Sequence, residues 1–343
     1  MRQLLNTLFV LSEDSYLTLD GENIVVNRAK NEVARFPLHT LEGILCFHYA
    51  GASPALMGAC AKRGIDLCFF SPRGQFLARI VGEERGNVLL RQTQYRVADD
   101  LAQCCNYAKY FILGKVYNSR WVLERALRDH PQRVPVEHLK GCAVQLGNAM
   151  DYIMQCENLE QLRGIEGEAA QRYFNGFSHL VLQQQDIFAF TTRSRRPPLD
   201  PINALLSFSY TLLAENCTAA LESVGLDPYV GFMHRSRPGR CSLALDLMEE
   251  LRSVYADRFV LSCINLKVIT EKHVQKQENG AVLLTEKGRK IFLSAWQRKK
   301  QEQIKHPFLK EKIPWGLVPY VQALLLARTL RGDMEIYPPF FWK

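Results

Sequence analysis

The chain has 343 residues, 47% hydrophobic and 23% charged, which allows two compact cores and excludes wholesale disorder. No apolar run nears the ~20 residues that span a bilayer. The short apolar start runs straight into Glu13 and Asp14 without a small-x-small cleavage site, so a cytoplasmic protein with no membrane association is expected. The net charge of +8 is unevenly spread: residues 1–90 and 91–263 each balance to zero, and the last 80 residues carry fifteen Lys and Arg against seven Asp and Glu. A basic segment beside neutral ones points to contact with a polyanion, although a solvated lysine-rich surface gives the same count.

Along the chain, residues 1–35 alternate with the period of strands. Tyr16 to Leu19 and Ile24 to Val26 flank Asp20-Gly21, a hairpin signal because the tight turn needs residues that tolerate positive φ. Ser53-Pro54 opens a helix that Gly64 ends. Ile65 to Phe70 and Phe76 to Val81 read as strands around a turn at Ser71-Pro-Arg-Gly74. From about residue 100 the apolar spacing becomes helical, over 100–128, 136–151, 157–178, 203–223, 242–257 and 315–331. The expected fold class is therefore α+β: a β-rich domain over 1–85, a linker over 86–99, and a larger all-α domain over 100–343. The ten cysteines contain no C-x-x-C pair and fit free thiols in a reducing compartment.

Three places in the helical part carry chemistry. Glu166 falls in the middle of the apolar stripe Leu159, Leu162, Ala169, Ala170 and Tyr173, where a carboxylate needs a cation or a hydrogen-bond partner. A salt bridge to an internal arginine would serve as well as a ligand role. His234 stands where an apolar run gives way to the flexible basic loop Arg235 to Arg240, placed to bind a metal, move a proton or simply hydrogen-bond at a boundary. Ser242 can cap a helix on which Asp246 and Glu249, three apart, share an edge; this suits a divalent cation or an ordinary solvated acidic face. Together Glu166, His234 and Glu249 form a donor set suited to Mg²⁺ or Mn²⁺, though the gaps between them are too long for a local motif.

The blocks Ile165-Glu-Gly-Glu-Ala-Ala170, the His234 loop and Ser242 to Arg252 resemble, in this order, the signature blocks of one family: the CRISPR-associated integrase of spacer acquisition, the Cas-one family. Asp200 to Tyr210, Phe36 to Ile44, and Cys60 to Phe70 with Arg73-Gly74 extend the likeness over nearly the whole chain. The start, Arg2 to Phe9, is similar to the type I-C branch. The resemblance implies an N-terminal β-sandwich, an all-α catalytic domain and a homodimer. It implies metal ligation by Glu166, His234 and Glu249, at the last of which many members carry Asp. Asp246, one turn earlier, would neighbour the metal, either activating the attacking hydroxyl through water or orienting the ligands.

The implied reaction inserts short double-stranded DNA fragments into CRISPR repeat DNA by transesterification: a fragment 3′-hydroxyl attacks a phosphodiester and expels another 3′-hydroxyl. Bound Mg²⁺ or Mn²⁺ would neutralise the phosphate and stabilise the leaving oxygen. Arg163, Arg235, Arg237, Arg240, Arg252 and Asn203 are then candidate nucleic-acid contacts, each with a mundane structural alternative. The basic residues Lys287, Arg289, Lys290, Arg298, Lys299 and Lys300 would track DNA nonspecifically. Implied partners are a small ferredoxin-fold subunit bridging two dimers and, for type I-C, an iron–sulfur nuclease that trims ends. A structure-selective nuclease acting by hydrolysis and an inactive DNA-binding scaffold are the competing readings. The apolar end Ile336 to Trp342 is either a docking strip or a segment folded back on its own domain.

Overall fold

The computed structural model describes residues 6–29, 31–72, 76–83 and 87–343. The expected turn at Ser71 to Gly74, the Arg73-Gly74 block and the start of the Arg2 to Phe9 block lie wholly or partly outside these. The chain divides into two compact units, one of residues 1–86 with 293–301, the other of residues 87–292 with 302–343.

The first unit is built from two sheets. Strands β1 (Thr7–Val10), β2 (Ser15–Asp20), β3 (Asn23–Arg28) and β4 (Asn31–Pro37) are followed by β5 (Gly43–Cys46), helix α1 (Pro54–Arg63), β6 (Asp66–Phe70) and β7 (Phe76–Ile80). β2, β3 and β4 form an antiparallel meander, and the other four make a mixed sheet in the order β1-β5-β6-β7. The first hairpin closes where expected: Asp20 pairs with Asn23, and Gly21 takes φ +57° in the two-residue loop. Ser53 caps α1 by accepting the Leu56 N–H, and Gly64 ends it in the left-handed conformation. Both sheets and α1 contribute to one core in which Leu17, Ile24, Ile44, Leu56 and Leu67 are fully buried, each worth roughly 1.5–3 kcal/mol. Lys300, counted above among the DNA-tracking residues, is only 3% exposed and lies against Thr7 Oγ1 (3.1 Å) and Glu42 (3.4 Å), so it serves the packing of this unit.

The second unit begins with a difference from expectation. Residues 88–99 are not a linker but helix α2 (Val88–Asp99), whose buried stripe is Leu90, Gln94 and Val97. Next come α3 (Leu101–Asp129), α4 (Val136–Gln155), α5 (Leu159–Phe177) and α6 (Pro201–Ser223). Asp100, Asn158 and Asp200 cap α3, α5 and α6 with side-chain oxygens, and Pro201 stands at the first position of α6.

The expected helix over 242–257 is broken. α7 (Ser242–Glu249) ends in a turn, Arg252–Asp257 winds as a π-helical turn, and α8 (Arg258–Asn265) follows. Ser242 does not cap α7; its hydroxyl donates to the Arg235 carbonyl at 3.2 Å. The all-α expectation also needs amending, because two short antiparallel hairpins interrupt the helices. β8 (Val274–Lys276) pairs with β9 (Val282–Leu284), and after α9 (Glu286–Gln301), β10 (Gln303–Lys305) pairs with β11 (Lys312–Pro314); α10 (Val318–Leu330) closes the order. Among the described residues no helix is long and apolar enough to cross a membrane.

The C-terminal segment packs back on this unit rather than standing free. Phe340 N–H donates to Glu250 (2.6 Å), Asn118 Nδ2 donates to the Phe340 carbonyl (2.7 Å), and Trp342 N–H donates to Asn118 Oδ1 (2.9 Å). The Arg258 and Arg125 guanidinium groups lie over the Trp342 ring at 4.3 and 5.3 Å.

Candidate active site

The site is assembled from α3, α5, the loop 231–241, α7 and the π turn. The loop is fixed first. Asp246 is fully buried, and its Oδ2 accepts the N–H groups of Phe232 (2.6 Å) and Met233 (3.0 Å), while its Oδ1 accepts the His234 N–H (2.9 Å). Three consecutive amides converging on one carboxylate form an anion nest. Gly231 is required for it, since a Cβ there would stand 2.7 Å from Asp246 Oδ2. Arg163 on α5 holds the loop from the other side, donating to the Met233 carbonyl at 2.7 Å. Upstream, Gln94 of α2 donates to the carbonyls of Asp227 (2.7 Å) and Val230 (2.8 Å).

The same Asp246 Oδ1 lies 2.6 Å from His234 Nδ1. A carboxylate there assigns the proton to Nδ1 and leaves the Nε2 lone pair facing the cleft. Nε2 is 4.0 Å from Glu249 Oε1. Asp246 thus receives four hydrogen bonds and has no exposed oxygen, an arrangement that orients His234 and leaves no acceptor for a substrate proton.

Glu249, at the end of α7, is 5% exposed at its side chain and carries two cations. Arg252 donates to Oε1 at 2.6 Å, and Lys115 Nζ lies 2.7 Å from Oε2. Burial alone would raise this carboxyl, but Arg252, Lys115 and His234 outweigh it and hold Glu249 well below the usual carboxylate range. The Lys115 ammonium also pairs with Glu166 of α5, so one lysine bridges two carboxylates whose helices are separate in sequence.

Arg252 is itself positioned. Its guanidinium stacks 4.4 Å from the Tyr210 ring, and the Tyr210 hydroxyl donates to Asp257 at 2.5 Å. Tyr173 donates to the other oxygen of Asp257 at 3.0 Å. Burial pushes Asp257 up to about 6 against these donors and Arg252.

These groups open onto a cleft of about 380 Å³ lined by Glu166, His234 and Glu249 together with six arginines: Arg163, Arg195, Arg235, Arg237, Arg240 and Arg252. Arg235 and Arg163 both pair with Glu160, and Arg237 and Arg240 stand in the loop beyond His234. A site that combines carboxylates, an imidazole lone pair and many guanidinium groups fits a phosphodiester.

Asn203, a candidate contact in the sequence, is fully buried and does not reach the cleft. Its amide donates to the Thr192 carbonyl (2.8 Å) and accepts from Arg193 (2.6 Å) and the Ser194 N–H (3.1 Å), so it shapes the loop that presents Arg195. Lys115 and Arg195 are the residues the sequence did not single out. Arg195 sits in the basic, proline-broken connection 193–198; Lys115 has no local signal within a long amphipathic helix.

Among the described residues no three His, Cys, Asp or Glu side chains stand at joint ligand distance as they lie. The donor set nevertheless fits a hard divalent ion: two carboxylates already share one cation, and His234 Nε2 stands 4.0 Å from one of them, Glu249.

Comparison with known proteins gives a consistent picture. The model of the family described as CRISPR associated protein Cas1 matches residues 8–298. A Rhodospirillum rubrum protein named CRISPR-associated endonuclease Cas1 2 is 50% identical over 351 positions that cover all of both chains. A Chlorobaculum tepidum protein named CRISPR-associated endonuclease Cas1 1 is 46% identical over 343 positions, again covering both completely. Among solved structures, a casposase bound to integration product superposes with a TM-score of 0.85 over 98% of this chain and 94% of the casposase, at 22% identity, a likeness of fold.

Proposed function

The chain belongs to the Cas1 family, and from that premise we propose that it is a divalent-metal-dependent DNA endonuclease and integrase that joins the 3′-hydroxyl of short DNA fragments to CRISPR repeat DNA. The observation that carries this reading is the convergence of Glu166, His234 Nε2 and Glu249 on one arginine-lined cleft. Glu166, His234 and Glu249 would hold Mg²⁺ or Mn²⁺, which supplies charge neutralisation at the phosphate and at the leaving oxygen.

The chain's own groups do the rest. Asp246 keeps the His234 proton on Nδ1 and its lone pair on the ligand side. Arg195, Arg237 and Arg240 bind non-bridging phosphate oxygens and set the line of attack. Arg252, braced by Tyr210, balances the charge of Glu249 beside the reacting phosphate. The substrates would be double-stranded fragments and repeat DNA. The partners would be a second copy of this chain, a small ferredoxin-fold subunit and an iron–sulfur end-trimming nuclease.

Strand transfer on a branched DNA substrate with Mn²⁺ or Mg²⁺ tests the reading. Joined product is expected only with metal, and neither His234→Ala nor Glu166→Ala should form it. Wild-type activity in both variants would remove the site. Free ends without joined strands would give the hydrolytic nuclease reading instead, and DNA binding without any product the scaffold reading.

A further inference from the structure

We propose that Lys115 is a built-in counter-cation of the candidate metal site: its ammonium holds Glu166 and Glu249 together when no metal is bound and gives up that place when one binds. The proposal rests on the metal-dependent reading above and adds a residue that none of the family blocks contains.

Lys115 is not a surface ion-pair residue. It projects from the middle of α3, its side chain is 13% exposed, and it pairs with both Glu166 and Glu249. Two carboxylates brought together at low exposure repel unless a cation or a proton lies between them. Here the cation comes from the chain itself.

The two cations on Glu249 differ in how firmly they are held. Arg252 is fixed between Glu249 and the Tyr210 ring, and Tyr210 is anchored on buried Asp257. Lys115 has a flexible four-carbon stem and a point charge, reaches Glu249 Oε2 at 2.7 Å, and among the described residues has no ring bracing it there as Tyr210 braces Arg252. A cavity of about 40 Å³ flanks it, lined by Ser119, Tyr173 and Asp257 among others. This is room for a water or two and for a shift of the stem. A divalent ion needs the oxygens that the ammonium now occupies, and two cations a few ångströms apart repel. Metal binding therefore carries the cost of expelling Lys115, and the metal-free site stays closed and folded because Lys115 is there.

Direct Mn²⁺ binding without DNA, followed by calorimetry and by the electron paramagnetic resonance of free Mn²⁺, tests this on wild type, Lys115→Met, Lys115→Arg and His234→Ala. Lys115→Met is expected to bind Mn²⁺ roughly 10-fold tighter than wild type or better. It should also melt lower without metal and gain more in melting temperature when Mn²⁺ is added. Lys115→Arg should bind no tighter than wild type, and His234→Ala should bind more weakly.

Equal or weaker binding by Lys115→Met, with wild type still binding, overturns the lysine proposal and leaves the metal reading intact. No binding by either protein removes both. A crystal structure of the wild type with Mn²⁺ needs no variant. Nζ should have left at least one of the two glutamates, and a bound ion at this site with both Lys115 pairs intact would end the proposal.

Discussion

At the end of α7 two consecutive glutamates face opposite ways. Glu249 opens onto the cleft, where Arg252 and Lys115 hold it ionised against the penalty of burial. Glu250 points inward, where its donors are neutral: the Tyr337 hydroxyl, Gln322 Nε2 at 3.2 Å and the Phe340 N–H at 2.6 Å. Burial pushes Glu250 up to about 7. Gly114 of α3 makes this packing possible, since a Cβ there would come 2.9 Å from Glu250 Cβ. One carboxylate is part of the candidate chemistry, and the other ties the C-terminal segment to the helix that carries it. The contrast shows that residue type and position in a motif do not assign a role; the charge of the surrounding donors does.

Neutralising each glutamate in turn separates their roles. Glu249→Gln should lower strand joining by roughly 10²–10³-fold, while Glu250→Gln should keep it within a few-fold at 25 °C. Equal losses in both would mean that the two sides of the helix do not divide the work. Asp246→Asn should come next. The amide has to donate toward one of the N–H groups that Asp246 now accepts from, which loosens His234 and costs roughly 10–100-fold in metal affinity or activity. Retention of full metal affinity would show that the nest does not orient the imidazole.

Stability separates the pair in a different manner. Glu250 is raised from 4.5 to about 7, so the folded protein keeps a proton that the unfolded chain has released. Its contribution is therefore full below pH 4.5 and is lost as the pH rises through 7, a term on the order of 3 kcal/mol. Glu249 is depressed and behaves in the opposite sense, contributing above pH 4.5 and losing that on acidification. In urea unfolding, Glu250→Gln should cost about 1–3 kcal/mol near pH 5 and less near pH 8; a cost that grows with pH contradicts the assignment. The smallest effect belongs to the cleft rim. Arg195→Ala should weaken DNA binding about uniformly across sequences and reduce the salt slope by about 1, measured by fluorescence anisotropy between 50 and 200 mM salt. A change in sequence preference would give Arg195 a base contact instead.

The sequence singles out Glu166, His234 and Glu249 because their blocks carry the family likeness and because each is a polar group where apolar periodicity or a loop boundary makes it costly; the fold brings the three to one cleft. Lys115 is not singled out, since its meaning depends on α3 packing against α5 and α7, and nothing within a few residues of it announces that. Helix α2 resembles a linker in the sequence because one of its three buried positions is Gln94, which is spent on the backbone of residues 227–230; a polar side chain on the buried stripe hides the helical period. Lys300 is the opposite case: its place in a basic run suggests surface charge, yet the side chain is buried. The split of 242–257 had no signal at all, as every residue in it suits an ordinary helix.

That split has a consequence for the length of the chain. A π turn accommodates one residue more than an α turn, so everything after it is rotated by about 100° relative to an uninterrupted α7. Removing a single residue between Arg252 and Asp257 would let the segment rewind as an α-helix, at no loss of helical content. It would leave Glu249 where it is and keep Asp257 near the hydroxyls of Tyr173 and Tyr210, whereas rewinding the full-length segment would carry Asp257 away from them. Here the register of the chain, as much as the chemistry of any side chain, determines which groups meet, and an alignment drawn through this segment without a gap against a shorter relative would pair Asp257 with the wrong neighbour.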